Sequence, residues 1–349
     1  MVPLGMKSLL KLDHDSRRSY VRKSFGSTRR LVCSDTTVER VMRQLPCDVF
    51  SGVIKKIYQQ ILGLGLSRIS LGAEKQFRIG IVDGSGFGKQ YASVVMIAGA
   101  RNFPLTAEVY VKYGKELSAS RRALGRVTKL LGSGWCEILL GDELYGTRED
   151  FRRCREEYGC DLLVKAGEER LTTILSDAKG LIFGCLSDES GVEKVSGVDR
   201  NRCCEYEVRK VEGITWEGLA YPLAIAWVRE TYLKPRPNKP DIEIFWVITT
   251  KQGLSCNDMR DLAHRRWQIE NGFFKKLSFL VKSKKVYTHN ASCLRSLLQM
   301  WIIGFCLFEA FLDEISEDDL RQMYGKVRIT LGLMLEELRL SFLDLTCRQ

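Results

Sequence analysis

The feature that most constrains this chain is the order of apolar patterns between residues 77 and 167. FRIGIVDGS (77–85) reads as a strand that ends in Asp83, with glycine immediately after. YASVVMIAG (91–99) and PLTAEVYVKYG (104–114) read as two more, and the short turns between them predict three antiparallel strands. LSASRRALGRVTKLL (117–131) has helical spacing and opens at Ser118 or Ser120. CEILLGDELYG (136–146) is a strand with Asp142 at its carboxyl end. TREDFRRCREEYG (147–159) is a helix from Thr147 to Gly159, and CDLLVKAG (160–167) is a further strand. A β-β-β-α-β-α-β order calls for a mixed sheet with helices on both faces.

That order is the order of an RNase H-like core, an α/β fold in which the first and fourth strands lie side by side and parallel. Their carboxyl ends then bring Asp83 and Asp142 together, where α/β sheets usually bind ligands. Residues 168–250 leave the alternation. Their strand-like runs, RCCEYEVRKV, YPLAIAWVRE and IEIFWVITT, predict an inserted β-region. Helical pattern returns over 259–277, and an apolar helix follows near 291–313. The expected organisation is a basic helical region over 1–75, the first part of the core over 76–167, the insertion over 168–250, the second part over 251–315 and a helical tail over 316–349. In the first region, SDTTVERVMRQL (34–45) carries a capping pattern at Ser34 or Asp35, and a second helix is expected over 50–66. Two short helices behind a basic arm suit a DNA-binding module, and they suit a plain helical cap nearly as well.

Net charge is +11, with a sequence pI near 9.1. Residues 1–30 carry eight Lys/Arg against two acids, and residues 260–285 repeat those numbers. Clustered basic charge is what contact with nucleic-acid phosphates requires, although a single run also suits a solvated face. There are twelve cysteines but no CxxC, and only three histidines, so neither a disulfide framework nor a zinc site is expected. Reduced, buried thiols in a cytoplasmic protein fit better. The apolar run 296–312 contains Gln299 and Glu309 and falls short of a membrane span of about 20 residues, so a core helix is expected there.

Three carboxylates stand at distinctive places: Asp83 and Asp142 at strand ends, and Glu270 in a helix rich in Arg and Lys. Transfer at a phosphodiester is served by two divalent cations about 3.5–4 Å apart, and hard cations of this kind take carboxylate oxygen. Gly84 permits close backbone approach beside Asp83. Arg266 lies four residues before Glu270, on the same helical face, where it either grips a phosphate or forms a surface ion pair. Lys275 and Lys276 extend the basic track, with Arg265 and Lys282 in the same run. GSGFGK (84–89) lacks the spacing and the Ser/Thr of a phosphate loop. Glu143 is expected to point away from Asp142, Glu108 to be a paired acid in a central strand, and His264 to lie at the surface or beside phosphate. Tyr145 and Arg148 follow Asp142 closely enough to touch DNA.

IVDGSGFGK, LLGDELYG, FWVITT and RRWQIENGFFKKL, in this order, resemble the cut-and-paste DDE transposases of the fourth insertion-sequence family. The resemblance covers roughly residues 30–315, and W-x-I-E-N is its most specific part. It implies an RNase H-like catalytic domain with a β-insertion. It also implies two Mg²⁺ or Mn²⁺ ions, strand nicking and strand transfer, often through a hairpin at the transposon ends. The family's acids fall on Asp83, Asp142 and Glu270. Of its Tyr-Arg-Glu-Lys signature, Arg266 and Glu270 match, whereas Ala263 and Leu277 stand at the Tyr and Lys places. Lys275 or Lys276 is the expected substitute for the lysine. Trp246 sits where some relatives stack a displaced base, and the alternative for it is a buried strand tryptophan. Implied partners are double-stranded DNA, as inverted-repeat ends and target, and a second copy of the chain in the DNA complex. No membrane is involved, and the expected setting is the prokaryotic cytoplasm. The alternatives are a DNA-binding relic without catalysis and an RNase H-like endonuclease.

Overall fold

The computed structural model describes residues 34–46, 48–71, 75–112, 114–167, 171–184, 191–236 and 240–314, with isolated residues 318, 322, 333 and 334. The basic arm over 1–30 and most of the expected C-terminal tail lie outside the described residues.

In chain order the elements are α1 (Asp35–Gln44), α2 (Ser51–Gly63), β1 (Ile69–Leu71), β2 (Lys75–Phe77), β3 (Ile79–Phe87), β4 (Gln90–Ala98), β5 (Asn102–Tyr110), α3 (Glu116–Leu131), β6 (Ile138–Gly141), α4 (Arg148–Arg153), β7 (Asp161–Ala166), α5 (Thr172–Phe183), β8 (Glu193–Asp199), β9 (Cys204–Ile214), β10 (Leu223–Tyr232), β11 (Ile242–Thr249), α6 (Cys256–Arg265), α7 (Lys275–Val281) and α8 (Ala291–Glu314). The fold is α/β. Its main sheet has nine strands in the order β5-β4-β3-β6-β7-β11-β10-β9-β8. The first five places hold the predicted core strands, with β3 and β6 neighbours and parallel as expected. β6 and β7 are also parallel.

The β-rich insertion expected over 168–250 is present as strands β8 to β11, and these extend the core sheet: β11 pairs antiparallel with β7 over Thr249↔Leu163 to Trp246↔Ala166, and β10, β9 and β8 continue from it. Burial of both faces of β6 and β7 leaves backbone donors and acceptors at the β7 edge, and β11 satisfies them. A correction concerns the helix expected over 259–277. It runs as α6 to Arg265, turns at Arg266, and passes through a π-helical segment, Ile269–Phe274, before α7.

The chain forms two compact units. One comprises the described residues of Met1–Ser67, Gly84–Leu130 and Gln268–Gln349; the other comprises Arg68–Asp83 and Leu131–Trp267. In the first, α8 packs on β5 and on α1. Gln299 donates to Thr106 Oγ1 and to the Ala107 carbonyl, both at 3.3 Å, and Ser296 donates to the Met42 carbonyl at 2.8 Å. α8 is long and apolar enough to cross a membrane, yet 67% of its most apolar window is buried inside the protein, as in a core helix. α1 starts where the capping pattern placed it, with Ser34 Oγ accepting from Thr37 N. α1 packs on α8 within this unit. In the second unit, α6 packs on the sheet from β6 to β11, and α5 packs on β9. Gly80 in β3 allows Trp135 and Cys136 to close underneath, since a Cβ there would stand 2.8 Å from the Trp135 ring.

Candidate active site

Asp83 and Asp142 are set by β3 and β6. These strands pair in parallel at Ile79↔Ile138, Gly80↔Leu139 and Ile81↔Leu140. Each aspartate stands two residues beyond the last pair, on strands about 4.8 Å apart. β3 itself does not end at Asp83 but runs on to Phe87 and turns through Gly88 (φ +65) and Lys89 into β4. The alternation seen in the sequence marks where pairing with β6 stops rather than where extended backbone stops.

Asp83 is buried, at 6% exposure, and Arg266 donates to its Oδ2 at 3.1 Å. The Arg266 guanidinium also lies over the Trp267 ring, 4.7 Å from its centre. Arg266 is therefore neither a surface ion pair with Glu270 nor a loose phosphate contact in this conformation: it is held against Asp83. Arg266 Nε is buried without a hydrogen-bond partner, which leaves one donor of the guanidinium unused. Asp142 is half-buried and caps the 3-10 turn Glu143–Tyr145, its Oδ1 accepting from Leu144 N at 2.9 Å.

Glu270 belongs to the other unit and lies in the π-helical segment, half-buried. A π turn carries one more residue than the α-helix it interrupts and recurs at functional positions. Here it is fixed by packing. Phe273 meets Phe305 edge-on at 4.9 Å, and Phe274 meets Phe87 at 6.2 Å. Gly272 lies so close to Asn102 that a Cβ would stand 2.1 Å from its Nδ2. No periodicity in the sequence reveals this extra residue.

Gly84 was expected to permit a close approach, and the structure shows which: the Glu116 carboxylate lies where its Cβ would be, 2.3–2.6 Å away, and accepts from Tyr110 Oη at 3.0 Å. Glu116, at the start of α3, is an acid that the sequence reading passed over. Its only signal was its place in the first turn of a helix.

The remaining candidates divide. Lys275 is exposed and donates to Asn271 Oδ1 at 2.5 Å. Lys276 is committed inward, to Glu309 Oε1 at 2.6 Å, and Glu309 is wholly buried, with burial pushing its pKa up against that pairing. Lys282 is exposed, in left-handed backbone at φ +52. Arg265 is half-buried, and burial lowers its pKa. Trp246 is wholly buried in β11, with its indole N–H unpaired, so no ring face is open to a displaced base; the strand-core alternative describes it. Tyr145 is buried, while exposed Arg148 donates to the Glu217 carbonyl at 2.8 Å.

His264 is a further correction: it is buried, and its Nε2–H donates to Glu230 Oε1 at 2.7 Å. Arg260, counted in the basic run, is buried too, donating to Glu230 at 2.6 Å and to Asp199 at 3.1 Å. Burial lowers the His264 pKa, so the imidazole is neutral and Arg260 carries the charge that answers Glu230. Glu108 is a paired buried acid as expected, held by Arg122 and Arg126, but its strand β5 is the sheet edge rather than its centre. Glu143 accepts from Gly167 N at 3.3 Å.

Chemically, Asp83 and Asp142 offer hard oxygen donors with no competing His or Cys. Mg²⁺ is commonly held by one or two carboxylates, with water and substrate phosphate completing its shell, and the aspartate pair fits that pattern. Among the described residues, no three of His, Cys, Asp and Glu are grouped to hold a metal ion. The eight described cysteines are free thiols, seven of them buried. No family model matches this chain, and no curated protein matches it either.

Proposed function

We propose that the chain is a DNA transposase of the DDE type, which cuts and joins phosphodiesters at transposon ends in the prokaryotic cytoplasm. The observation that carries this reading is the placement of Asp83 and Asp142 just past the parallel pairing of β3 and β6, with Arg266 held on Asp83. The third acid is Glu270, assigned on its W-x-I-E-N setting and on the π turn that carries it.

On this reading Asp83, Asp142 and Glu270 hold two Mg²⁺ or Mn²⁺ ions. Bound there, the ions would activate the attacking oxygen and stabilise the leaving one. The protein's own part is to fix its donors. Leu144 N orients the Asp142 carboxylate, and Arg266, braced by Trp267, orients Asp83. Double-stranded DNA and a second copy of the chain are the partners in this proposal. Incubation with a duplex carrying the flanking inverted repeats and Mg²⁺ should give nicked or hairpinned ends. Activity that survives Asp83→Ala would remove the assignment.

One observation favours the relic reading. Ala263 and Leu277, at the Tyr and Lys places of the resemblance, are both buried, so neither place presents a group to phosphate. A relic binds its ends and cuts under no metal; robust cutting in Mn²⁺ eliminates it.

A further inference from the structure

The segment after α7 brings a lysine back to β3. It reverses at Lys282 (φ +52) and presses on the β3–β4 turn so closely that a Cβ on Gly88 would stand 2.9 Å from Val286 Cα. This seats the Lys284 ammonium on Ser85 Oγ at 2.8 Å and on the Gly86 carbonyl at 3.1 Å. A surface lysine ordinarily loses rotamer freedom when it is held in one place. Here the backbone does the holding, and both bonded acceptors are neutral. An ammonium has three donors, so one is left for an outside acceptor. Lys284 is exposed, and so are Lys282 and Lys285 on either side of it. Of the basic residues that follow Glu270, Lys275 is bound to Asn271 and Lys276 to the buried Glu309.

We propose that Lys284 is a DNA-phosphate-binding residue, positioned by its anchorage on Ser85 and Gly86 of β3. A backbone phosphodiester oxygen is the acceptor that suits a preplaced single cation. This rests on the transposase reading, and the test separates the two. Affinity for a 30-base-pair duplex of mixed sequence (length chosen as roughly three helical turns) is measured between about 50 and 200 mM salt. Each phosphate contact contributes about 0.9 to the slope of log affinity against log salt. K284Q is expected to lose about that much slope, and K284R to retain it. An unchanged slope in folded K284Q, with the parent still steeply salt-dependent, overturns the role of Lys284 alone. A parent chain without salt-sensitive affinity overturns the DNA-acting reading itself. Should K284Q fail to fold, amine acetylation of the unsubstituted chain decides: the duplex should protect Lys284, and equal labelling with and without DNA overturns the proposal.

Discussion

Glu230 carries its charge with none of its side chain exposed. Burial pushes its pKa up, but the His264 hydrogen bond and Arg260 outweigh burial and hold it lowered to about 2. A carboxylate held below its unfolded value, about 4.3, stabilises the fold fully above that value and loses the contribution as pH falls through the folded one. Stability is therefore expected to drop by roughly 3 kcal/mol between about pH 4.5 and 2, read from denaturant unfolding at each pH. Glu230→Gln should flatten that drop while costing about 3 kcal/mol at neutral pH, the lower end for a broken buried pair, because Arg260 stays buried with Asp199 as its remaining carboxylate. A Gln variant as acid-sensitive as the parent contradicts this account. Such pairings were illegible in the sequence: His264 and Arg260 read as surface charge because their acids, Glu230 and Asp199, lie thirty or more residues away in the chain. Asp83 and Asp142 were legible because strand alternation is a local signal, sharpened at Asp83 by the glycine that follows it. Arg266 was legible as a functional residue, but its partner Asp83 was not.

Elements carry a second kind of information. α1 was readable from its cap, and β3 to β7 from alternation. α5 was missed although Ile174, Leu175, Ala178 and Ile182 have helical spacing, because its start has no capping side chain: Leu171, with φ 59, stands at the cap. β8 was missed because an edge strand, EKVSGVD, has no apolar run to betray it. The π turn was invisible because one extra residue leaves composition unchanged. Its effect is testable. Deleting exposed Asn271 restores α-helical register while Phe273 and Phe274 stay anchored in the core, so Glu270 moves. Melting should change little, and metal-dependent nicking should fall by about a hundredfold. Unaltered nicking contradicts a role for the turn. Gly88→Ala tests the neighbouring β3–β4 turn: with φ +65 and Val286 at its back, the substitution should cost roughly 1–3 kcal/mol in unfolding measurements. A neutral result would mean that the segment around Val286 gives way.

At the scale of the whole molecule, the sequence predicted the class of fold, the five core strands and a β-rich stretch over 168–250, but not the edge of the core sheet that this stretch joins. Alternating runs announce strands, not the edge they join, and the pairing of β11 with β7 depends on backbone groups that carry no side-chain signature. Because β8 to β11 continue the sheet, a chain lacking residues 191–250 should show no cooperative melt, as β7 would then expose a buried edge. A sharp transition in that shortened chain contradicts the single-sheet description. The central claim is that Asp83 and Asp142 are the working acids of a DNA-cutting centre. Its most direct measurement is nicking of a duplex carrying the flanking inverted repeats, in Mg²⁺ and in Mn²⁺, by the parent chain and by Asp83→Asn and Asp142→Asn. The account predicts metal-dependent nicks from the parent and none from either folded variant; nicking by Asp83→Asn at the parent's rate would contradict it.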